Sequence, residues 1–557
     1  MDTSTFNNFL IRACGVIFLL RLIIQNFFPE NYIYSSERLS DLIVACLILM
    51  LALIFTLRKC LLHEKFPQSC FDFPIYLLLA ASCLSFLHTA DFSVSMNFFI
   101  PFVSYIFLFY IVMDILKSQK DFTKLWSYIL IGIVVVIFFG FWEYTFLKDP
   151  QQTIGVPSSF LKRIGSVFHL PNVLAGFLML FIPLLWTNLV LTNTLKYKKL
   201  ISLLLILCLI TFLLTFSFMC TINFILTTIL LSPLIIKNWF HKNTKAPFIA
   251  ITLGIILFLI VILIVRNNFS TVARWEYLKT AKLLIENSPW IGSGLNTFDI
   301  VNRKFITYKL GFSAYVHNSY LQWWVETGLL GFISGLLLVW TFAKNASKAF
   351  THEKTLQQRI ILIGLIWSLS AFFVDNLSNF TMLRPDIALF WWVILAGFCA
   401  IIKYNAPPIR SSLADQWHKM ILVLIIIALL FLSVRISLGL INYNKGMILS
   451  GKRQLTQALD YFKRANALDP TEFRYPSAKG SIHIQQFILS NNKILLEEAE
   501  QDFLQAARLS PQSHKTFFIL SNIAFKRGDE QKAQEYLDQA RKLSPLTYKN
   551  LPSIKHL

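Results

Sequence analysis

The chain has 557 residues, 55% of them hydrophobic and 15% charged, with 52 phenylalanines. A soluble protein of this length would hide its apolar residues in roughly two to four domain cores; here they fall into long runs, which excludes a wholly water-soluble fold. The formal charge of +21 would suit a nucleic-acid partner only with a basic, aromatic-studded face on a soluble fold, and no nucleic acid is expected.

A helix crosses the ~30 Å hydrocarbon layer with about 20 residues. In chain order the apolar runs 11–28, 41–57, 74–90, 98–116, 125–147, 170–192, 200–216, 219–236, 247–265, 319–342, 360–380, 387–402 and 419–441 predict spans. That makes thirteen, or twelve if Arg12 and Arg21 keep the first run out of the bilayer. The fold class is all-α: a polytopic membrane helical bundle over 1–441, followed by a soluble domain over 442–557.

Lysine and arginine gather in every second loop: Arg58, Lys59 and Lys65; Lys117, Lys120 and Lys124; Lys196, Lys198 and Lys199; Lys237, Lys242 and Lys245; Lys344, Lys348, Lys354 and Arg359; Lys403, Arg410 and Lys419. Positive loops stay in the cytoplasm. The alternate segments, among them the long loop 266–318 and the tail 442–557, are therefore expected outside, and the later loops fix this whether or not the first run spans. All eight cysteines lie in spans or in the cytoplasmic loop 58–73, so no disulfide framework is expected outside. Cys60, His63 and Cys70 fit no zinc spacing and lack a fourth ligand. Arg21 breaks the first run and no small-residue cleavage site follows, so no cleavable signal peptide is evident.

Two external stretches carry polar groups, the usual markers of function near a membrane. The first runs from Phe160 through Arg163 to Gly176, with Pro171 and Asn172 suited to a helix start. Arg163 there has the alternative of snorkelling to lipid headgroups. The second is Val272–Ile285, where Val272, Trp275, Leu278, Ala281 and Ile285 share one face of an amphipathic surface helix. A turn at Ser288–Phe298 follows. Its Gly-x-Gly lacks the third glycine and the strand of a dinucleotide site. The loop ends at His317 and Asn318, at the mouth of a span. Glu326 lies nine residues on, about 13 Å deeper at the helical rise, positioned to orient His317 or to pair inside the bundle. Asp375 and Arg384 flank the last external turn, where each could also cap a helix.

Beyond Ile441 the phrase Ala-x-x-Leu-x-Pro recurs at 465–470, 506–511 and 540–545. The last two prolines are 34 residues apart, the tetratricopeptide period. Counting back gives Gly446, Ala458, Phe462 and Ala465; then Gly480, Ala499, Phe503 and Ala506; then Gly528, Ala533, Leu537 and Ala540. Small residues let paired helices approach closely and the prolines end them. Three repeats make an α-solenoid suited to a protein partner.

The three membrane-domain segments, in this order, resemble the O-antigen ligase and polysaccharide polymerase family. The resemblance rests on Arg163 with Pro171-Asn172, on Arg274 with Ala281 and Pro289-Trp-Ile-Gly-Ser-Gly294, and on His317-Asn318 with Glu326-Thr-Gly-Leu-Leu-Gly331, within residues 40–400. The family also carries a Thr-x-Ser-Arg motif; this chain reads Thr215-Phe-Ser-Phe218 and lacks that arginine. The resemblance implies a GT-C-like bundle and transfer of a glycan from a polyprenyl diphosphate to a hydroxyl or amine acceptor (lipid A core, a protein or another acceptor) on the external face. Polymerisation of lipid-linked repeat units is the alternative. Transport of the same lipid is a third, for which the expected midplane charge pairs and internal repeats are not evident.

In that chemistry Arg163 and Arg274 clamp the diphosphate leaving group and His317 takes the acceptor proton. Asn172, Asn318, Glu326 and Arg384 are the expected substrate contacts, with membrane lipids around them. No external Asp-x-Asp pair calls for a divalent metal, and no cofactor is expected.

Overall fold

The computed structural model describes residues 3–27, 39–146, 163–239, 269–307, 312–350, 355–402 and 413–549. Every regular element among them is helical. The membrane part consists of α1 (Thr3–Phe27), α2 (Leu39–Leu61), α3 (Asp72–Ser85), α4 (Phe92–Ile115), α5 (Gln119–Phe146), α6 (Pro171–Leu191), α7 (Leu195–Leu214) and α8 (Phe218–Trp239). After these come α9 (Phe269–Asn287), α10 (Ser319–Lys348), α11 (Leu356–Asp375), α12 (Pro385–Ile402) and α13 (Leu413–Gly451).

Ten of the described helices are long and apolar enough to cross a membrane, α1 among them. The predicted spans 74–90 and 219–236 appear as the shorter apolar helices Asp72–His88 and Phe218–Leu234. The first shortens because the chain tightens into a 3-10 turn at Phe86–His88, and Asp91 then caps α4 by accepting from the Val94 N–H. The predicted span 247–265 lies outside the described residues. The chain is a multi-pass membrane protein. One continuous core of aromatic and branched side chains joins the bundle, centred on Phe177, Phe181 and Phe390. Trp340, Phe138 and Phe431 are exposed, as expected of a lipid-facing surface.

Arg21 does not break α1. It is fully buried and ion-paired with Asp41 of α2, with Asp386 and Arg384 in Coulomb reach. Removing one partner of such a pair leaves a charge stranded in low dielectric, which costs about 3–5 kcal/mol. Asp41→Asn should therefore lower the melting temperature of the detergent-solubilised protein markedly. The double variant Arg21→Met, Asp41→Leu should recover most of the loss. An Asp41→Asn protein as stable as the parent would show that the pair is dispensable.

The boundary expected at 442 falls inside a helix. Helix α13 runs unbroken for 39 residues, Leu413–Gly451, so the last span and the first repeat helix are one helix. It pairs with α14 (Leu455–Leu468), followed by the pairs α15 (Arg474–Ser490) with α16 (Lys493–Leu509) and α17 (His514–Lys526) with α18 (Glu530–Leu543). A Cβ on Gly446 would run into the Phe462 ring, and one on Gly480 into the Phe503 ring, which is why those positions are small. Ala458, Ala465, Ala499, Ala506, Ala533 and Ala540 are all buried.

The repeats lie against the membrane part at both ends. Ser93 Oγ donates to Glu472 at 3.0 Å and Arg435 Nε to the Leu468 carbonyl at 3.0 Å. At the far end, α18 packs on the turn Asn302–Lys304, in the loop that leads to His317, where Arg303 and Asp299 neighbour Lys515 and His514.

Candidate active site

The site is assembled on turns and helix ends at one side of the bundle. Two glycines make its frame possible. Gly328 interrupts α10 with φ 70° and ψ −170°, and Gly292 has φ 78°, both in the region that favours glycine. A Cβ on Gly292 would strike the Glu326 backbone, and one on Gly328 the Trp290 carbonyl. The turn 288–298 thus lies directly on the break in α10. The Ser293 and Gly294 N–H groups donate to the carbonyls of Val325 and Glu326, both at 2.9 Å, and Leu329 N–H donates to the Pro289 carbonyl at 2.9 Å.

Glu326 closes this clamp rather than facing His317. Its carboxylate is buried and accepts from Asn296 N–H at 2.8 Å, Phe298 N–H at 3.4 Å and Gln322 Nε2 at 3.0 Å. Gln322 in turn accepts from the Val316 N–H at 3.0 Å, one residue before His317. Glu326 therefore holds the turn at 296–298 against the start of α10. Asn318 is the cap of α10, its Oδ1 accepting from Tyr320 N–H at 3.1 Å and Leu321 N–H at 3.0 Å. Next to it Ser319 Oγ donates to Asn376 Oδ1 at 2.7 Å, which ties the histidine's helix to the turn after α11.

Helix α9 packs on α10 through Leu278, Ala281, Leu284 and Ile285, against Phe298, Val316 and Val325. Trp275, expected on that face, is exposed. The packed stripe instead carries Arg274 and Tyr277, both half-buried. The helical spacing of 274, 277, 278, 281 and 285 is the stripe that packs, and an exposed Trp275 is compatible with a helix lying along the membrane surface.

His317 sits at φ 60° with its ring stacked on Tyr277 (centroids 5.2 Å apart, planes at 16°) and met edge-on by Phe380 (4.8 Å, 84°). Its Nδ1 is enclosed without a hydrogen-bond partner among the described residues. Burial first, then the Arg274 charge, lowers its ionisation from 6.5 to about 3, so the imidazole is neutral. Arg274 forms no hydrogen bond or ion pair among the described residues, although Asp375 and Cys220 lie within Coulomb reach; burial lowers its ionisation from the ordinary value.

Arg163 reaches the same region from the other side. Its Nε donates to the Thr215 carbonyl at 2.9 Å and a terminal nitrogen to Asn172 Oδ1 at 3.1 Å. From Asn172 the contacts run without a gap: Ser217 Oγ donates to Asn172 Oδ1 at 2.9 Å and to Cys220 Sγ at 2.9 Å, and Asn379 Nδ2 donates to Cys220 Sγ at 3.0 Å and to Asp375 Oδ2 at 3.1 Å. Asn223 Nδ2 donates to the other Asp375 oxygen at 3.1 Å. The segment 215–218 that lacks the family's arginine thus still lines this network, through the Thr215 carbonyl and Ser217.

Of the residues singled out in the sequence, Arg163, Asn172, Arg274, His317 and Asp375 come together. Arg384 is ion-paired with Asp386 (2.6 Å) toward Arg21 and also meets Tyr315, which backs the Phe380 ring beside His317. Tyr277, Phe380, Asn223, Asn379 and Ser217 were missed. The asparagines stand in apolar stretches, where a polar side chain is itself a signal.

The site therefore joins a buried histidine, two arginines and a polar network in a multi-pass bundle, with a helical repeat domain beside it. Residues 170–336 match the O-antigen ligase family and residues 441–472 match a tetratricopeptide repeat. The chain is thus similar to the O-antigen ligase family over that segment and carries a C-terminal helical repeat domain. The match covers Asn172, Arg274, His317, Asn318 and Glu326; Arg163 and Arg384 lie outside it. A curated relative, an uncharacterized protein of Haemophilus influenzae, is 30% identical over 125 residues, 21% of this chain. The chain spans 30% of that relative's length.

Proposed function

We propose that the protein transfers a glycan from a polyprenyl diphosphate donor to an acceptor on the extracytoplasmic face of the membrane. The observation that carries this is a neutral imidazole beside an arginine that makes no hydrogen bond or ion pair among the described residues, at the end of a polar network reaching Arg163. The acceptor oxygen attacks the anomeric carbon and its proton passes to His317 Nε2. The bond from that carbon to the diphosphate breaks, and the electron pair leaves on the lipid diphosphate. Arg274 and Arg163 take up that charge with paired N–H donors, and Asn172 holds Arg163 in place. Asn318 and Glu326 shape the site through backbone contacts, while Arg384 serves the neighbouring ion-pair network. No step needs a metal, so a chelator should leave transfer unchanged.

The repeat domain packs on the loop that leads to His317, which favours ligation to a recruited acceptor, lipid or protein, over polymerisation. Purified protein given a labelled lipid-diphosphate glycan and a separate acceptor should add one preformed block per acceptor. A ladder of lengthened lipid-linked chains, formed without the acceptor, would instead establish the polymerase.

Orientation has its own test. Gln512 is exposed, whereas Ser510 two residues earlier is buried. Gln512→Cys should react in intact cells, once an outer membrane is opened, with a maleimide that cannot cross the inner membrane. Labelling only after the inner membrane is broken would put the repeat domain and the catalytic loop inside.

A further inference from the structure

A histidine that moves protons is usually oriented through its second nitrogen, whose hydrogen bond to a carbonyl or carboxylate fixes both tautomer and ring. Here that device is missing: Nδ1 of His317 is enclosed and has no hydrogen-bond partner among the described residues. The ring still has two well-defined neighbours. Tyr277 covers one face in a near-parallel stack, and Phe380 closes on it edge-first. Phe380 is itself backed by Tyr315, stacked at 4.3 Å and 8°, so it has little room to turn. Tyr277 is also three residues from Arg274 on the packed face of α9, where side chains at that spacing are neighbours.

We infer that Tyr277, with Phe380 as the opposing wall, is the positioning residue for His317. Aromatic packing does the work of the absent hydrogen bond and leaves Nε2 as the nitrogen that meets the acceptor. Because Tyr277 and Arg274 share one helix face, the stack also sets the distance between the base and the cation that receives the leaving group. This inference rests on His317 being the base. The ring's flat surface matters and the phenol hydroxyl does not.

The test compares Tyr277→Leu, Tyr277→Phe and Phe380→Leu in the full-length detergent-purified protein. Tyr277→Leu should lower kcat on the order of 100-fold, the cost of a misplaced reacting group, with KM for the donor little changed. Its acid limb should also move up toward the ordinary histidine value of about 6.5, because the uncovered ring is hydrated. Tyr277→Phe should restore both rate and pH profile, and Phe380→Leu should show the Leu variant's defects more mildly. A second readout does not use activity: carbethoxylation of His317, followed by peptide mass spectrometry. It should be several-fold faster in Tyr277→Leu than in the parent or in Tyr277→Phe.

Equal carbethoxylation in all the variants overturns the inference. So does a Tyr277→Phe protein as impaired as Tyr277→Leu, since the hydroxyl would then be the active part. If Tyr277→Leu does not fold, Phe380→Leu decides on the same readouts. Full transfer by His317→Gln would instead remove the base assignment, and carbethoxylation would still report whether Tyr277 shields the ring.

Discussion

Replacing His317 by alanine lowers glycan transfer by about 100- to 10,000-fold, the range a general base supplies. The protein must otherwise stay intact, which a cooperative melt of the purified variant checks. Full activity in His317→Ala would end its role in the mechanism. The pH dependence adds a sharper condition. Burial and Arg274 lower the folded-state ionisation of His317 to about 3, below the ordinary value of about 6.5. The base is therefore competent throughout the neutral range, and kcat/KM should fall only as pH drops far into acid. A bound diphosphate brings negative charge next to the ring and favours the imidazolium. The acid limb of kcat should then lie at higher pH than that of kcat/KM. The same shift bears on stability with a definite sign. Between about 6.5 and 3 the unfolded chain binds the extra proton, so this group's contribution is intact above that window and is lost as pH falls through it. His317→Gln should remove that part of the acid sensitivity.

Arg274→Ala should cost about 100- to 1,000-fold in kcat, as expected for one donor that stabilises charge developing in the transition state. Arg274→Lys should recover only part of the rate, because an ammonium cannot form the two parallel hydrogen bonds of a guanidinium. Steady-state kinetics with varied donor separates this from simple anchoring. A rise in KM with kcat unchanged would mean that Arg274 binds donor and transition state equally. Arg163→Ala has a different character, because Arg163 is already engaged with Thr215 and Asn172. Its loss also loosens the start of α6, and Asn172→Ala should share part of the defect.

Much of this was legible in the sequence, for identifiable reasons. The cost of placing a residue in hydrocarbon is incurred locally, so apolar runs announce spans one by one. The repeats declare themselves through small residues and prolines at a fixed period. His317 and Arg274 stood out because they fall in the ordered motifs that carry the family resemblance. The polar network was not legible. Asn223 and Asp375 are 152 positions apart, and no local pattern says that α8 will lie against α11. Glu326 shows the same limit: its backbone partners, the Asn296 and Phe298 N–H groups, are 30 and 28 positions away.

Helix α13 also makes the protein sensitive to the bilayer it sits in. At the helical rise its 39 residues form a rod about 59 Å long, part of it in lipid and part as the first wall of the solenoid. A span answers a thicker or thinner membrane by changing its tilt, and a rod with no hinge carries that tilt beyond the lipid. The whole solenoid would then swing with membrane thickness. Its far end rests on Asn302–Lys304, in the loop ahead of His317, so lipid composition becomes a variable that can bear on the catalytic loop without any ligand binding there.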